Sequence, residues 1–334
     1  MILVTGATGL VGSRLLFDLA KAGKKIRAFK RSGSSMTVVN RTFRGHEDLL
    51  KAVEWVEGDV TDCFSIEEAM QQVKQVYHCA GLVSFRPSDF RRLMKVNTEG
   101  TANMVNIAMD AGVERFCYVS SAASLGRAEE NKLLTENTLW KTSSYNSGYA
   151  ISKYGAEREV WRAFEEGLKG FIVNPTIVLG PGDLHSGSTA LFGEVWKGLK
   201  FYTTGTSGFV DVSDVSRCMI ALMEKNIHAE RYLISSENLS YREVINDIAD
   251  AFGKPRPSIH VGKMLTEIGW RMEAVRRIFS KTIPMITKET ARNGQCSWLY
   301  SNEKVKKETG INFIPVEEGI KNACEIFLKE IQAG

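Results

Sequence analysis

The chain opens on a short apolar run, Ile2 to Thr5, that leads without a break into Thr5-Gly6-Ala7-Thr8-Gly9-Leu10-Val11-Gly12 and then into a helical pattern. Three glycines at that spacing, between a strand and a helix, narrow the choice of fold more than any other feature. Gly6 allows the tight turn that ends the strand. Gly9 removes a side chain where a bulky anion must approach the backbone, and Gly12 lets the helix pack closely on the strand. The unpaired N–H groups of the helix start, with the positive end of its dipole, then favour a phosphate. Thr5, Gly6, Thr8, Gly9, Leu10, Val11 and Gly12 are therefore candidate contacts for the pyrophosphate of a dinucleotide. A glycine-rich turn with no ligand is the alternative that spacing alone leaves open.

The rest of the first half repeats the same alternation. Apolar runs at Ile26 to Phe29, Val53 to Val56, Gln75 to Cys79, Arg115 to Ser120 and Phe171 to Asn174 predict strands. Helical periods at Leu10 to Ala22, Asp89 to Ala111 and Tyr149 to Glu166 separate several of them. Strands that are apolar throughout, rather than on alternate residues, belong to a parallel sheet covered on both faces. A doubly wound α/β fold follows, with ligands at the carboxyl ends of the strands. After Pro175 the rhythm loosens into a Gly-, Ser- and Thr-rich stretch over 180–208, with a short helix near Leu191 to Gly198. Asp214 to Glu224 and Tyr241 to Phe252 predict helices around a strand at Arg231 to Ser235. Further helices are predicted over Met264 to Phe279 and Val316 to Glu330. This second half reads as a smaller cap over the sheet edge.

Composition closes off other classes. The 334 residues are 43% hydrophobic and 25% charged, and Lys plus Arg exceed Asp plus Glu by 43 to 39. So small and evenly spread an excess excludes a nucleic-acid partner, and no apolar run reaches the roughly 18 residues of a membrane span. Cys63, Cys79, Cys117, Cys218, Cys296 and Cys324 form no close pair. They predict free thiols in a reducing, cytoplasmic setting, and no secretory leader is visible. Five scattered histidines give no metal site.

Other strand ends carry chemistry. Arg27-Ala28-Phe29-Lys30-Arg31-Ser32 has no carboxylate to bond a ribose 2′-hydroxyl. Lys30 and Arg31 instead stand where a 2′-phosphate would lie, which selects NADP over NAD; a solvated basic turn is the other reading. Asp59 can accept from an adenine amino group while Val60 packs on the ring, or Asp59 can simply cap a turn. Small residues Ala80 and Gly81 let the backbone approach a ribose, and His78 just before them reads as a packed, hydrogen-bonded residue. Ser121 ends the fifth strand. Tyr149 and Lys153, four residues apart, share one helix face. A phenol with its usual pKa near 10 is a poor acid or base at neutrality, and a neighbouring ammonium would favour its ionised form. Ser121 would hold a substrate oxygen while Tyr149 moves its proton. A second copy of the pattern, Tyr300 to Lys304, has no strand-end serine before it and reads as incidental.

Taken in order, Thr5 to Gly12, Asp59-Val60, Ser121 and Tyr149/Lys153 resemble the extended short-chain dehydrogenase/reductase family. Asn174-Pro175, Gly180-Pro181-Gly182-Asp183 and Phe209 to Val215 are similar to its NAD-dependent epimerase/dehydratase and dihydroflavonol-reductase-like members. The resemblance implies a Rossmann core over 1–174 and 208–235, and a discontinuous substrate-binding domain over 175–207 and 236–334. It implies Ser121, Tyr149 and Lys153 as the catalytic set, and Lys153, Asn174, Pro175 and Thr176 among the residues lining the cofactor cleft. It also implies a homodimer through helices near 98–111 and 149–166. Lys30-Arg31, Leu125 where many sugar-nucleotide enzymes carry tyrosine, and the lack of a Glu pair beside Ser121 favour plain carbonyl reduction of a small or lipophilic molecule. An epimerase or dehydratase holding NAD tightly, and a non-catalytic NADP sensor, remain as alternatives. The basic amphipathic stretch 264–281 reads as a substrate lid or a membrane-surface contact. Trp270 and Trp298 read as pocket or core.

Overall fold

The computed structural model describes residues 1–126, 131–262 and 294–333. Seven parallel strands form the main sheet: β1 Ile2–Thr5, β2 Ile26–Lys30, β3 Glu54–Glu57, β4 Gln75–His78, β5 Arg115–Val119, β6 Gly170–Pro175 and β7 Glu230–Ile234. Their order across the sheet is β7-β6-β5-β4-β1-β2-β3. The chain therefore winds one way from β1 through β2 to β3, and the other way from β4 onwards. The crevice between β1 and β4, where winding reverses, is the place a ligand finds open at the carboxyl edge.

Burial explains the apolar strands. Val4, Ala28, Tyr77, Cys117 and Val173 point to one face and pack with Leu15, Leu16 and Leu19 of α1 (Leu10–Lys21) and Val215, Met219 and Leu222 of α5 (Val212–Met223). Their neighbours Leu3, Val76, Phe116, Tyr118 and Ile172 point to the other. There they meet α2 (Cys63–Met70), α3 (Gly100–Asp110) and α4 (Gly148–Glu165) through Ile66, Met104, Val105, Ala156 and Val160. Residues of the inner strands have a helix above or below them, so alternation disappears from the sequence there, while the edge strand β3 keeps Glu54 and Glu57 exposed. Side-chain caps start three of these helices: Asp62 accepts from the Phe64 N–H of α2, Ser147 from the Ala150 N–H of α4, and Asp211 from the Ser213 N–H of α5.

Ends shift by one to three residues from the sequence reading, except where whole elements went unpredicted. Helix α2 is one. Another is a three-stranded sheet in which Thr206–Asp211 pairs in parallel with Ile177–Leu179 and antiparallel with Glu237–Ser240. It shares a core with α6 (Tyr241–Ala251) and α7 (Val316–Ala333) through Phe192, Phe209, Ile248 and Phe327. The predicted helix over 89–111 is one helical run of several parts: Phe90–Leu93 is α-helical, Met94–Glu99 is a π turn, and α3 follows. The stretch 264–281 and Trp270 lie outside the described residues. Among the described residues no helix is long and apolar enough to cross a membrane, and no cluster of metal-ligating side chains occurs.

Candidate active site

The glycine turn fits a dinucleotide by what it excludes. Gly6 has φ +63, and a Cβ on it would lie 2.6 Å from the Ala80 nitrogen. A Cβ on Gly12 would lie 2.2 Å from the Gly6 carbonyl oxygen, so α1 is drawn hard against the turn. Gly9 is exposed and caps α1 without a side chain, and the first turn carries no acid. The leading N–H groups thus remain open to an anion. Thr8, Leu10 and Val11 are half-buried around them. Leu10 also supports the loop at Gly180 and Gly182, whose Cβ positions would fall 3.3 and 3.4 Å from its Cδ1. Below the turn, the buried Thr5 hydroxyl bonds His78 Nδ1 at 2.7 Å and accepts the Ala80 N–H at 3.1 Å. His78 Nε2 meets Thr101 at 3.1 Å. Burial, aided by the Lys153 charge, pulls the His78 pKa down to about 3. It is the packed, neutral residue expected.

At the edge of β2 the two basic residues part company. Lys30 is paired across the sheet with Glu57 of β3, at 2.5 Å. Arg31, the first residue beyond the strand, is exposed. Asp59 lies in the next loop. Burial disfavours its charge, but Thr61 outweighs this by donating its N–H and hydroxyl to one carboxylate oxygen, both at 2.8 Å, and the pKa stays below the usual range. Val60 is buried against Gly100, where a Cβ would come within 2.7 Å of its methyl group.

Ser121, Tyr149 and Lys153 come together where β5 ends and α4 begins. Ser121 starts a short 3-10 turn, Ala122–Leu125, its Oγ accepting the Ala123 N–H at 3.2 Å. The Ser121 hydroxyl also acts on the Tyr149 phenol, favouring its ionised form. Here the structure departs from the sequence argument. Burial pushes the Tyr149 pKa above its ordinary value, and the nearby Ser121 hydroxyl offsets only part of that. The Lys153 ammonium is engaged elsewhere: it donates to Tyr118 Oη at 3.1 Å and to the Val119 carbonyl at 2.8 Å, over the Tyr118 ring. Burial brings the Lys153 pKa down to about 8, against the pull of Glu157 and Cys79. A Cβ on Gly81 would lie 3.4 Å from Nζ, in ordinary van der Waals contact with this head group.

Asn174 is buried beneath the Ser121 turn, where its amide donates to the Ser121 carbonyl at 3.2 Å and to Ser124 Oγ at 2.9 Å. Pro175 ends β6, and Thr176 bonds the Ile234 carbonyl through its N–H at 3.0 Å. Sequence reasoning missed Tyr118 and Asn97. Asn97, in the π turn, accepts the Leu82 N–H at 2.7 Å and donates to Ser152 Oγ at 2.9 Å, fastening the loop after β4 to α4. Tyr118 is the last residue but one of β5, on the face toward α4; that register was its one available signal. Phe85, from the fastened loop, stands edge-on to Tyr149 at 5.9 Å. It helps line an apolar recess of about 370 Å³ with Pro87, Phe90, Leu93 and Ile151.

The second Tyr/Lys pair is apart from all this. Tyr300 is buried with Trp298, Leu125 and Leu134, while Lys304 pairs with Glu230 and the Arg231 carbonyl. Trp298 is thus a core residue.

The family model for the NAD dependent epimerase/dehydratase family matches residues 2–235. Sterol demethylase protein B of Methylococcus capsulatus is 29% identical over 316 residues, which are 92% of each chain. Cinnamoyl-CoA reductase 1 of Petunia hybrida is 24% identical over 328 residues, covering 95% of this chain and 89% of that protein. Among solved structures, gox2253 superposes with a TM-score of 0.81 at 28% identity, over 99% of this chain and 98% of its own. With a seven-stranded doubly wound sheet, a glycine turn at its switch point and a family match over more than half its length, the chain belongs to the NAD dependent epimerase/dehydratase family and is an NAD(P)-dependent enzyme.

Proposed function

We propose that this enzyme reduces a carbonyl group on a lipophilic small molecule at the expense of NADPH, with Ser121, Tyr149 and Lys153 as its catalytic residues. The observation that carries this reading is the gathering of Ser121, at the start of the 3-10 turn after β5, the Tyr149 phenol on which it acts, and a buried lysine one helical turn further along α4. When bound, the dinucleotide supplies a hydride for the carbonyl carbon. The protein supplies a place and a proton. Ser121 orients the carbonyl oxygen, and Tyr149 donates its phenolic hydrogen to that oxygen as negative charge develops there. A phenol whose pKa is raised by burial starts each turnover in the protonated form, the one a reduction consumes. Lys153, with two of its hydrogens committed to Tyr118 and Val119, keeps one donor for a ribose hydroxyl.

Exposed Arg31 supports NADPH over NADH, its fork meeting a 2′-phosphate in two-pronged fashion. The Phe85 recess supports a substrate with an apolar body, and two relatives are named for a sterol and for a cinnamoyl thioester. That substrate would lie between the main sheet and the segments 175–207 and 236–334. Six free cysteines accord with a reducing, cytoplasmic setting. Tyr149→Phe tests the core of the proposal: turnover of a carbonyl panel, followed by nicotinamide absorbance, should fall at least ~100-fold while NADPH affinity changes less than about threefold. Unaltered turnover would reject Tyr149 as the acid.

A further inference from the structure

Glu157 lies one turn beyond Lys153 on α4 and is 2% exposed. Removing a carboxylate from water costs several kcal/mol unless donors replace the lost hydration. Three side chains from three separate elements converge on it. Ser124 Oγ donates from the 3-10 turn, Asn174 Nδ2 donates from β6 at 2.5 Å, and the Arg231 guanidinium of β7 stands 3.5 Å away. Arg231 is the loosest of the three. Its stronger bonds go to the carbonyls of Glu136 at 2.7 Å and Thr138 at 2.9 Å, so Glu157 is no mere counter-ion for it. The tight partners both engage the turn that carries Ser121: the Asn174 amide also lies 2.9 Å from Ser124 Oγ and 3.2 Å from the Ser121 carbonyl, and the Ser124 hydroxyl lies 2.7 Å from that same carbonyl.

We propose that Glu157 is a positioning residue of the site: its carboxylate fixes the Ser121 turn through Ser124 and Asn174, and places a negative charge one helical turn from the Lys153 ammonium. This rests on the reading of Ser121 and Lys153 given above. The titratable groups that act on Lys153 are His78 at the end of β4, Cys79 just after it, Tyr118 from β5, and Glu157 from its own helix, on which Tyr149 lies one turn earlier. Burial drives the His78 pKa down to about 3 and the Cys79 pKa up to about 12, and raises both phenols. Glu157 is the carboxyl group of that set, among the described residues. Its field favours the protonated lysine against the effect of burial.

The test is Glu157→Gln in the full chain, with NADPH binding followed by protein fluorescence from pH 6 to 10. Affinity of the parent protein should fall as Lys153 loses its proton near pH 8. In the variant the fall should come about half a unit to one unit earlier, and Glu157→Asp should restore most of the difference. Ser124→Ala, which removes only the arm to the turn, should lower kcat by about tenfold and leave the pH midpoint in place. Should Glu157→Gln not fold, the double variant Glu157→Met with Arg231→Met exchanges the ion pair for apolar volume and should show the same downward shift. A midpoint unchanged from the parent in either folded variant overturns the proposal while leaving the catalytic assignment intact. Failure of the parent protein to bind NADPH at all overturns both.

Discussion

Lys153 keeps an ammonium in a space almost closed to water, and two protein acceptors, Tyr118 and Val119, offset part of the cost. Its folded pKa of about 8 lies below the ordinary 10.5. Between these values the unfolded chain holds the proton and the folded chain has released it, so this residue makes stability rise with pH across that window. Below pH 8 the full burial cost is present. Urea unfolding of the parent and of Lys153→Met should therefore differ most near pH 7, with the gap narrowing toward pH 10. At the edge of β2, Arg31→Ala should weaken NADPH binding by about 10- to 100-fold and leave NADH within about twofold, the size of one charge-assisted contact. Lys30→Ala should change that ratio far less, because its ammonium is committed to Glu57. The sequence pattern could name both residues but could not separate them, since their roles turn on which one is the last of the strand. Tyr118 and Glu157 were illegible for another reason. A tyrosine within an apolar strand and a glutamate within a polar helix look ordinary until a fold sets them beside a lysine.

Strands and long helices were legible because burial on both faces leaves a continuous apolar signature, and the glycine turn because its geometry admits few residues. The contrast between two glycines tests that geometry. Gly12→Ala drives a Cβ to 2.2 Å from backbone that cannot give way, and should cost about 2–4 kcal/mol and abolish dinucleotide binding. Gly112→Ala, at φ +65 with nothing within 4 Å, should cost about 1 kcal/mol and leave binding unchanged. Denaturant midpoints and NADPH titrations of the two variants distinguish these outcomes. Short elements escaped notice. Helix α2 spans only eight residues, and the strand Thr206–Asp211 begins Thr-Ser-Gly, a composition that reads as loop until a sheet forms around it. The π turn at Met94–Glu99 left no trace in the periodicity. Its cause is tertiary, in the bonds Asn97 makes to Leu82 and Ser152.

Across the whole molecule, the regions on either side of the glycine turn are tied by one buried guanidinium. Arg41, on the short helix that follows β2, bonds both oxygens of Glu330 on α7 and the carbonyls of Pro181 and Gly182, and lies over the Phe327 ring. Those carbonyls belong to the loop that rests on Leu10. Arg41→Met should cost about 1–3 kcal/mol through the orphaned carboxylate and carbonyls. It should also weaken dinucleotide binding by several-fold, an effect Arg44→Met, which loses only an exposed contact to Glu330, should not share. Fluorescence titration of the two variants separates the cases. None of this long-range tie was legible, because its partners are 140 or more positions apart in the chain. It bears on how the protein can be handled. A tag attached at Ala333 of α7 would lie about one helical turn from Glu330. One joined before Met1 would leave from the opposite rim of the sheet, and is the better choice for ligand studies.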